Sequence, residues 1–154
     1  MYEVRIASLH DIPIIQDLFC RTILESNHED YTQEQLDAWL KRGENTELWE
    51  KRIQNHYFIV AHKNNEVMGF ASLRKDGYLG HLFVDKKFQK EGIGRLLVKR
   101  IEKFATRNEM FQIIADVSLT AKPFFEKVGF GVVKRQTVNI GIDVDNYLMQ
   151  KNIG

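Results

Sequence analysis

The sequence predicts an α/β fold: a mixed, mostly antiparallel sheet of about seven strands flanked by helices. Three observations carry this. Apolar residues recur at helical spacing up to about residue 53. The period then drops to two, and three apolar runs within 57–84 are joined by turns so short that they form an antiparallel meander. Beyond residue 84 the two patterns alternate.

The elements follow in order. Val4 to Ala7 reads as a short strand. Ser8-Leu9-His10-Asp11 is a capping box, in which the serine accepts from the amide three residues on and the aspartate reaches back. Pro13 suits a first helical turn, and Ile14, Leu18 and Ile23, with Ile15, Phe19 and Thr22 alongside, form the apolar face. Thr32-Gln33-Glu34-Gln35 is a second capping box; Leu36, Trp39 and Leu40 continue at helical spacing, and Gly43 is the expected stop. A third short helix is expected from Glu47 to Ile53. Strands follow at Tyr57–Ala61, Val67–Arg74 and Leu79–Val84, turned by Asn64-Asn65 and Asp76-Gly77. A helix from Gly92 to about Arg107 carries Ile93, Leu96, Leu97, Ile101, Phe104 and Ala105 on one stripe, with Arg95, Lys99, Arg100 and Lys103 off it. Ile113–Val117 is a strand, Thr120–Val128 a short helix closed by Gly129, and Phe130–Val138 with Val144–Gln150 a last antiparallel pair.

Composition narrows the function classes. The 154 residues are 44% hydrophobic and 28% charged with two prolines, so one folded domain over 1–154 is expected and a disordered chain is excluded. Cys20 is the single cysteine, which excludes an intramolecular disulfide; on an apolar helix face it reads as a buried filler. His10, His28, His56 and His62 lack metal-ligand spacing, so no metal is expected. Met1 to Arg5 lacks a basic-then-apolar leader, and no stretch approaches the roughly 18–20 apolar residues of a membrane span. A cytoplasmic location without membrane contact is therefore expected. A net charge of +1, from 22 Lys+Arg against 21 Asp+Glu, argues on its face against a nucleic-acid partner. That near-neutrality conceals two opposite fields: residues 1–54 balance to −5, and residues 55–154 to +6.

The most informative segment is Val84-Asp85-Lys86-Lys87-Phe88-Gln89-Lys90-Glu91-Gly92-Ile93-Gly94-Arg95. A strand ends, a loop turns, and two glycines open a helix. Gly92 and Gly94 let a ligand approach the backbone closely, and the first-turn amides lack helical partners at the positive end of the dipole. From Asp85 to Lys103 the local balance is +4, which suits an anion. The third glycine of the dinucleotide fingerprint is absent, as is the Lys-Ser/Thr of the P-loop.

Gln89-Lys90-Glu91-Gly92-Ile93-Gly94 resembles the Gln/Arg-x-x-Gly-x-Gly/Ala motif of the GNAT superfamily of N-acetyltransferases. Ala121-Lys122-Pro123-Phe124-Phe125-Glu126-Lys127-Val128-Gly129-Phe130 resembles its second landmark, a short helix ending in Tyr-Glu-Lys-x-Gly-Phe. The element order is the GNAT order over the whole chain, and Tyr31 to Leu36 resembles a bacterial subgroup. The resemblance implies a splayed central strand pair, Leu79–Val84 and Ile113–Val117, with acetyl-coenzyme A between them. Its pyrophosphate would rest on Gln89, Lys90, Glu91, Gly92, Ile93, Gly94 and Arg95, and its pantetheine arm would pair with Leu82, Phe83 and Val84. An acceptor amine would attack the thioester directly.

Two positions depart from the family pattern. The tyrosine that protonates the departing thiolate is replaced by Phe125, and the asparagine seven residues earlier by Ser118, which could still hydrogen-bond the cofactor. A thiol with a pKa near about 8.5 is a tolerable leaving group without help. For the general base, counting back from Val84 reaches Gly80 and Tyr78; His81 has a suitable ordinary pKa. Strand alternation sets His81 with Leu79 and Phe83, facing away from Tyr78 unless a bulge intervenes. Tyr147 on the last strand is a third candidate and a replacement acid. Asp116 would hold an amine or cap the next helix. Trp39, Trp49 and Tyr31 read as core residues, in a region that covers the acceptor side in such folds.

The expectation is an acetyl-CoA-dependent N-acetyltransferase acting on a small primary amine or a peptide amine, as monomer or homodimer. The alternatives are a coenzyme A-binding regulator with weak or lost catalysis, and a protein or tRNA acetyltransferase. The acidic balance of residues 1–54 favours a cationic acceptor.

Overall fold

The computed structural model describes residues 2–154. Seven strands and five α-helices follow one another as β1 (Glu3–Ile6), α1 (Ile12–Ser26), α2 (Gln33–Gly43), α3 (Thr46–Asn55), β2 (Tyr57–Lys63), β3 (Glu66–Leu73), β4 (Leu79–Val84), α4 (Ile93–Arg107), β5 (Gln112–Ser118), α5 (Lys122–Lys127), β6 (Gly131–Asn139) and β7 (Asp143–Asn152). The strands form two antiparallel sheets, ordered β1-β2-β3-β4 and β5-β7-β6. Between β4 and β5 there is one isolated parallel bridge, Tyr78 with Ile114, where the Ile114 amide donates to Gly77 O at 3.0 Å. The expected splayed central pair is present.

Period-two alternation splits the core in two. Ile59, Ala71 and Leu73 face α4, where Ile93, Leu97, Val98, Ile101 and Ala105 are buried. Phe58, Val60 and Phe70 face α1–α3, where Ile15, Leu18, Leu36 and Trp49 are buried. Each fully buried Leu, Ile or Phe contributes about 1.5–3 kcal/mol. The Trp49 indole N–H donates to Gly43 O at 2.8 Å, which satisfies the one polar atom of a fully buried ring.

Local signals place the helices. Thr32 and Gln35 form both arms of a capping box: the Gln35 amide donates to Thr32 Oγ1 at 3.2 Å, and the Thr32 amide to Gln35 Oε1 at 2.9 Å. At Ser8 the aspartate arm dominates. The Asp11 carboxylate accepts from the Ser8 amide at 2.8 Å and takes both prongs of Arg5 at 2.8 and 2.9 Å. The turn Leu9–Asp11 is therefore 3-10, and α1 begins at Ile12. This late start moves the buried stripe to Ile12, Ile15, Leu18, Phe19 and Ile23 and leaves Ile14 40% exposed, outside the face where its spacing set it. Gly43 is not a left-handed stop but the last residue of α2; a Cβ there would meet the Phe19 ring at 2.5 Å, so close helix packing demands the glycine. Cys20 is partly exposed rather than a buried filler.

Candidate active site

A cavity of about 850 Å³ opens where β4 and β5 part. Its floor is β4 and β5, its walls are the β4–α4 loop, α5 and parts of α1–α3. Leu82, Phe83, Val84, Gln89, Lys90, Gly92, Ile93, Gly94, Arg95, Ser118 and Phe125 all line it. Glu91 does not; its carboxylate accepts the Tyr2 hydroxyl, which ties the loop back to the start of β1.

The loop is held open by specific contacts. Asp85, 3% exposed, accepts from the Lys87 amide at 3.0 Å and from Arg21 on α1 at 3.1 Å. Burial pushes its carboxyl up, but Arg21 and the Lys87 amide together hold it below the usual carboxylate range. Lys90 and Gly92 adopt left-handed backbone, φ 71° and 86°. Among the described residues, no group accepts a hydrogen bond from the backbone N–H groups of residues 90–95. Six consecutive unpaired donors meet the positive end of the α4 dipole, and a Cβ at Gly92 would meet nothing within 4 Å. At Gly94 a Cβ would strike the Phe124 ring at 2.7 Å, so the second glycine serves the packing of α4 on α5.

A bulge decides the other end. Ser72 pairs with His81, but the next residue, Leu73, pairs with Leu79, so Gly80 is the extra residue. The expected alternation of Leu79, His81 and Phe83 on one face is thereby broken. Leu79 points to the α4 side of the sheet, and His81 to the α1–α3 side. His81 Nδ1 lies 2.7 Å from Ser72 Oγ, with Trp49 and Phe70 rings at 5.0 and 5.9 Å. Burial, with the charges of Arg52 and His56, pushes its imidazole well below the ordinary value, so it is neutral at physiological pH.

Tyr78, just before β4, lines the cavity and donates its hydroxyl to Asp116 Oδ2 at 2.9 Å. Burial, aided by Asp116, pushes its phenol up to about 12. Asp116 also accepts from Gln136 Nε2 at 2.6 Å, and the same amide reaches Asn146 at 2.9 Å. Asp116 therefore does not cap α5. No side chain caps α5 directly; Ser118 accepts from the Ala121 amide at 3.1 Å in the turn before it, and its hydroxyl donates to no group among the described residues. Tyr147 stands outside the cavity lining; on β7 it is Val144 and Asn146 that face inward, while Lys122 and Arg135 lie 5.4 and 5.9 Å from the Tyr147 ring.

The helical wall carries residues that no motif announces. Trp39, Arg42 and Arg52 line the cavity, whereas Trp49 is core and Tyr31 is buried. The Arg52 guanidinium lies 4.8 Å from the Trp49 ring centre. Its position three residues after Trp49, on a core-facing stripe, is the one sequence signal that could have found it. Asn146 and Gln136 left no such signal.

A family model described as an acetyltransferase (GNAT) domain matches residues 27–151. The chain belongs to the GNAT acetyltransferase family. This GNAT chain is 32% identical over 121 residues to the uncharacterized N-acetyltransferase YafP of Escherichia coli (strain K12), covering 79% of the chain and 75% of that protein. It superposes on a GCN5-related N-acetyltransferase from Rhodopseudomonas palustris with a TM-score of 0.93 at 26% identity, over 97% and 94% of the two chains. The PaiA N-acetyltransferase of Thermoplasma acidophilum, solved in complex with coenzyme A, shares the GNAT fold at a TM-score of 0.84 and 18% identity, with 99% of each chain covered. No helix among the described residues is long and apolar enough to cross a membrane, and none of their His, Cys, Asp and Glu side chains gather in threes that could hold a metal.

Proposed function

We propose that this acetyltransferase moves the acetyl group of acetyl-coenzyme A to a primary amine of a small molecule or peptide, by direct attack in a ternary complex. The observation that carries the reading is the run of unpaired amides at residues 90–95 beside the parted strands. The residues present fit coenzyme A. The amides and Lys90 and Arg95 match a pyrophosphate, and the edge of β4 at Leu82–Val84, free of any ladder to β5, matches an amide-bearing arm. Acetyl-coenzyme A supplies the activated acyl group.

The chain's own residues supply positioning and proton movement. The Tyr78 hydroxyl proton is given to Asp116, so its oxygen is free to accept an N–H of the acceptor. As the amine loses its proton, Tyr78 takes it and passes its own to Asp116, which is exposed and exchanges with solvent. His81 acts as a buried wedge that fixes the bulge through Ser72. The free Ser118 hydroxyl proton stabilises the departing thiolate in place of the phenol that Phe125 lacks.

Thiol release over an amine panel tests the reading. Gly92→Glu sets a carboxylate in the amide cradle and strains a left-handed backbone; coenzyme A affinity falls about a hundredfold or more by like-charge repulsion alone. Unchanged affinity removes the assigned site. The absent phenol at Phe125 favours a second reading, a coenzyme A-binding regulator, and tight binding without acceptor-dependent thiol release supports it.

A further inference from the structure

The acidic balance of residues 1–54 pointed to a cationic acceptor, yet the side chains which that segment turns into the cavity include Arg42 and Arg52. Arg5, Arg21, Arg74 and Arg135 each pair with an aspartate within 4 Å. Among the described residues, no carboxylate lies within 4 Å of Arg42 or Arg52, and neither guanidinium donates a side-chain hydrogen bond. Arg52 is half-buried, so its charge sits in a partly desolvated wall where an unpaired cation is costly. Arg42 stands near enough to depress the Arg52 pKa further, after burial, to about 10. Stacking on Trp49 holds the Arg52 fork in place without using its donors.

These arginines do not belong to the pyrophosphate loop. Arg52 stacks on Trp49, whose ring lies 5.0 Å from that of His81 in the first half of β4, whereas the loop follows the end of that strand. β4 is six residues long, about 20 Å of extended chain from end to end. In the same cavity, Asp116 and Tyr78 supply the acceptors that an amine requires. Ile23, Trp39 and Ile140 add apolar surface to the lining.

We propose that the acceptor is an amino carboxylic acid with an apolar body, its carboxylate held by Arg52 and Arg42 and its amine presented to Tyr78 and Asp116. This rests on the acetyltransfer reading above and narrows it. A carboxylate accepts two parallel N–H bonds from one guanidinium, which fixes orientation as well as charge. A protein N-terminus, whose first carboxyl is an amide, cannot use that fork.

The test compares L-phenylalanine, L-phenylalaninamide and phenethylamine, and L-leucine with isoamylamine, at matched free-amine concentration with the full chain. The free acids are acetylated with kcat/KM about tenfold or more above their uncharged partners. Arg52→Met lowers kcat/KM for the acids about tenfold or more and narrows that ratio to about threefold or less. Calorimetry gives a readout independent of turnover and of variant folding: with coenzyme A bound, the wild-type chain takes up N-acetyl-L-phenylalanine but not its amide. Amines acetylated without regard to the carboxyl, or equal binding of acid and amide, overturn this proposal and leave acetyltransfer standing. No thiol release with any amine and no coenzyme A binding overturn both.

Discussion

At the scale of single residues, the proton path rests on one contact, Tyr78 to Asp116 at 2.9 Å. Tyr78→Phe removes the relay while keeping the ring, and lowers kcat/KM about a hundredfold, as loss of a general base does. Asp116→Asn has a similar effect, and the double variant is no worse than either single one, because the two act as a unit. Steady-state kinetics on the three variants checks this. Tyr147→Phe, outside the cavity, leaves kcat/KM unchanged. With His81 pushed well below its ordinary value, the profile of kcat/KM against pH shows no inflection from it near 6.5 once the free-amine fraction is divided out. An inflection near 6.5 that His81→Gln abolishes would return the base role to the imidazole.

At the scale of elements, the β4–α4 loop depends on α1 through Arg21 and Asp85. Arg21→Met leaves a buried carboxylate with only the Lys87 amide, costs about 1–3 kcal/mol at pH 7, and weakens coenzyme A binding because the amides lose their frame. The sign with pH follows from Asp85, whose folded pKa lies below its unfolded one. Its stabilisation is fully present above the ordinary carboxylate value and is lost as pH falls through the depressed one. The gap between wild type and Arg21→Met therefore closes in acid, where the protonated carboxyl needs no cation. Urea midpoints at pH 7 and in acid measure both ends. Elements such as the Thr32 cap and the α4 stripe were legible in the sequence because their causes are local: a cap and its third residue, apolar side chains three and four apart. The glycine loop was legible for the same reason. The Gly80 bulge was not, because register belongs to two strands at once, and the Ser72–His81 contact that fixes it joins residues nine apart. Arg52 and Asn146 reach the cavity only after three helices and the last strand close over it.

At the scale of the whole molecule, Tyr31 is the clasp between the helical cover and the second sheet. Its hydroxyl donates to Asp145 O at 2.7 Å and accepts from the Leu119 amide at 2.9 Å. Tyr31→Phe strands both backbone groups, costs about 1–3 kcal/mol, and lowers Tm by about 2–4 °C for each kcal/mol lost. Calorimetric melting measures it, and an unchanged Tm would show the clasp to be idle. Among the described residues the two sheets share one backbone bridge, Tyr78 with Ile114, while each is laddered within and both bury side chains in the core under α4. Parting the sheets along this line breaks one backbone bridge, whereas parting the strands of either sheet breaks a ladder, and the reaction cavity runs along this line. A ligand that pairs with the β4 edge supplies the hydrogen bonds that β5 does not, so binding closes the sheet where its own backbone leaves it parted and raises the cost of unfolding.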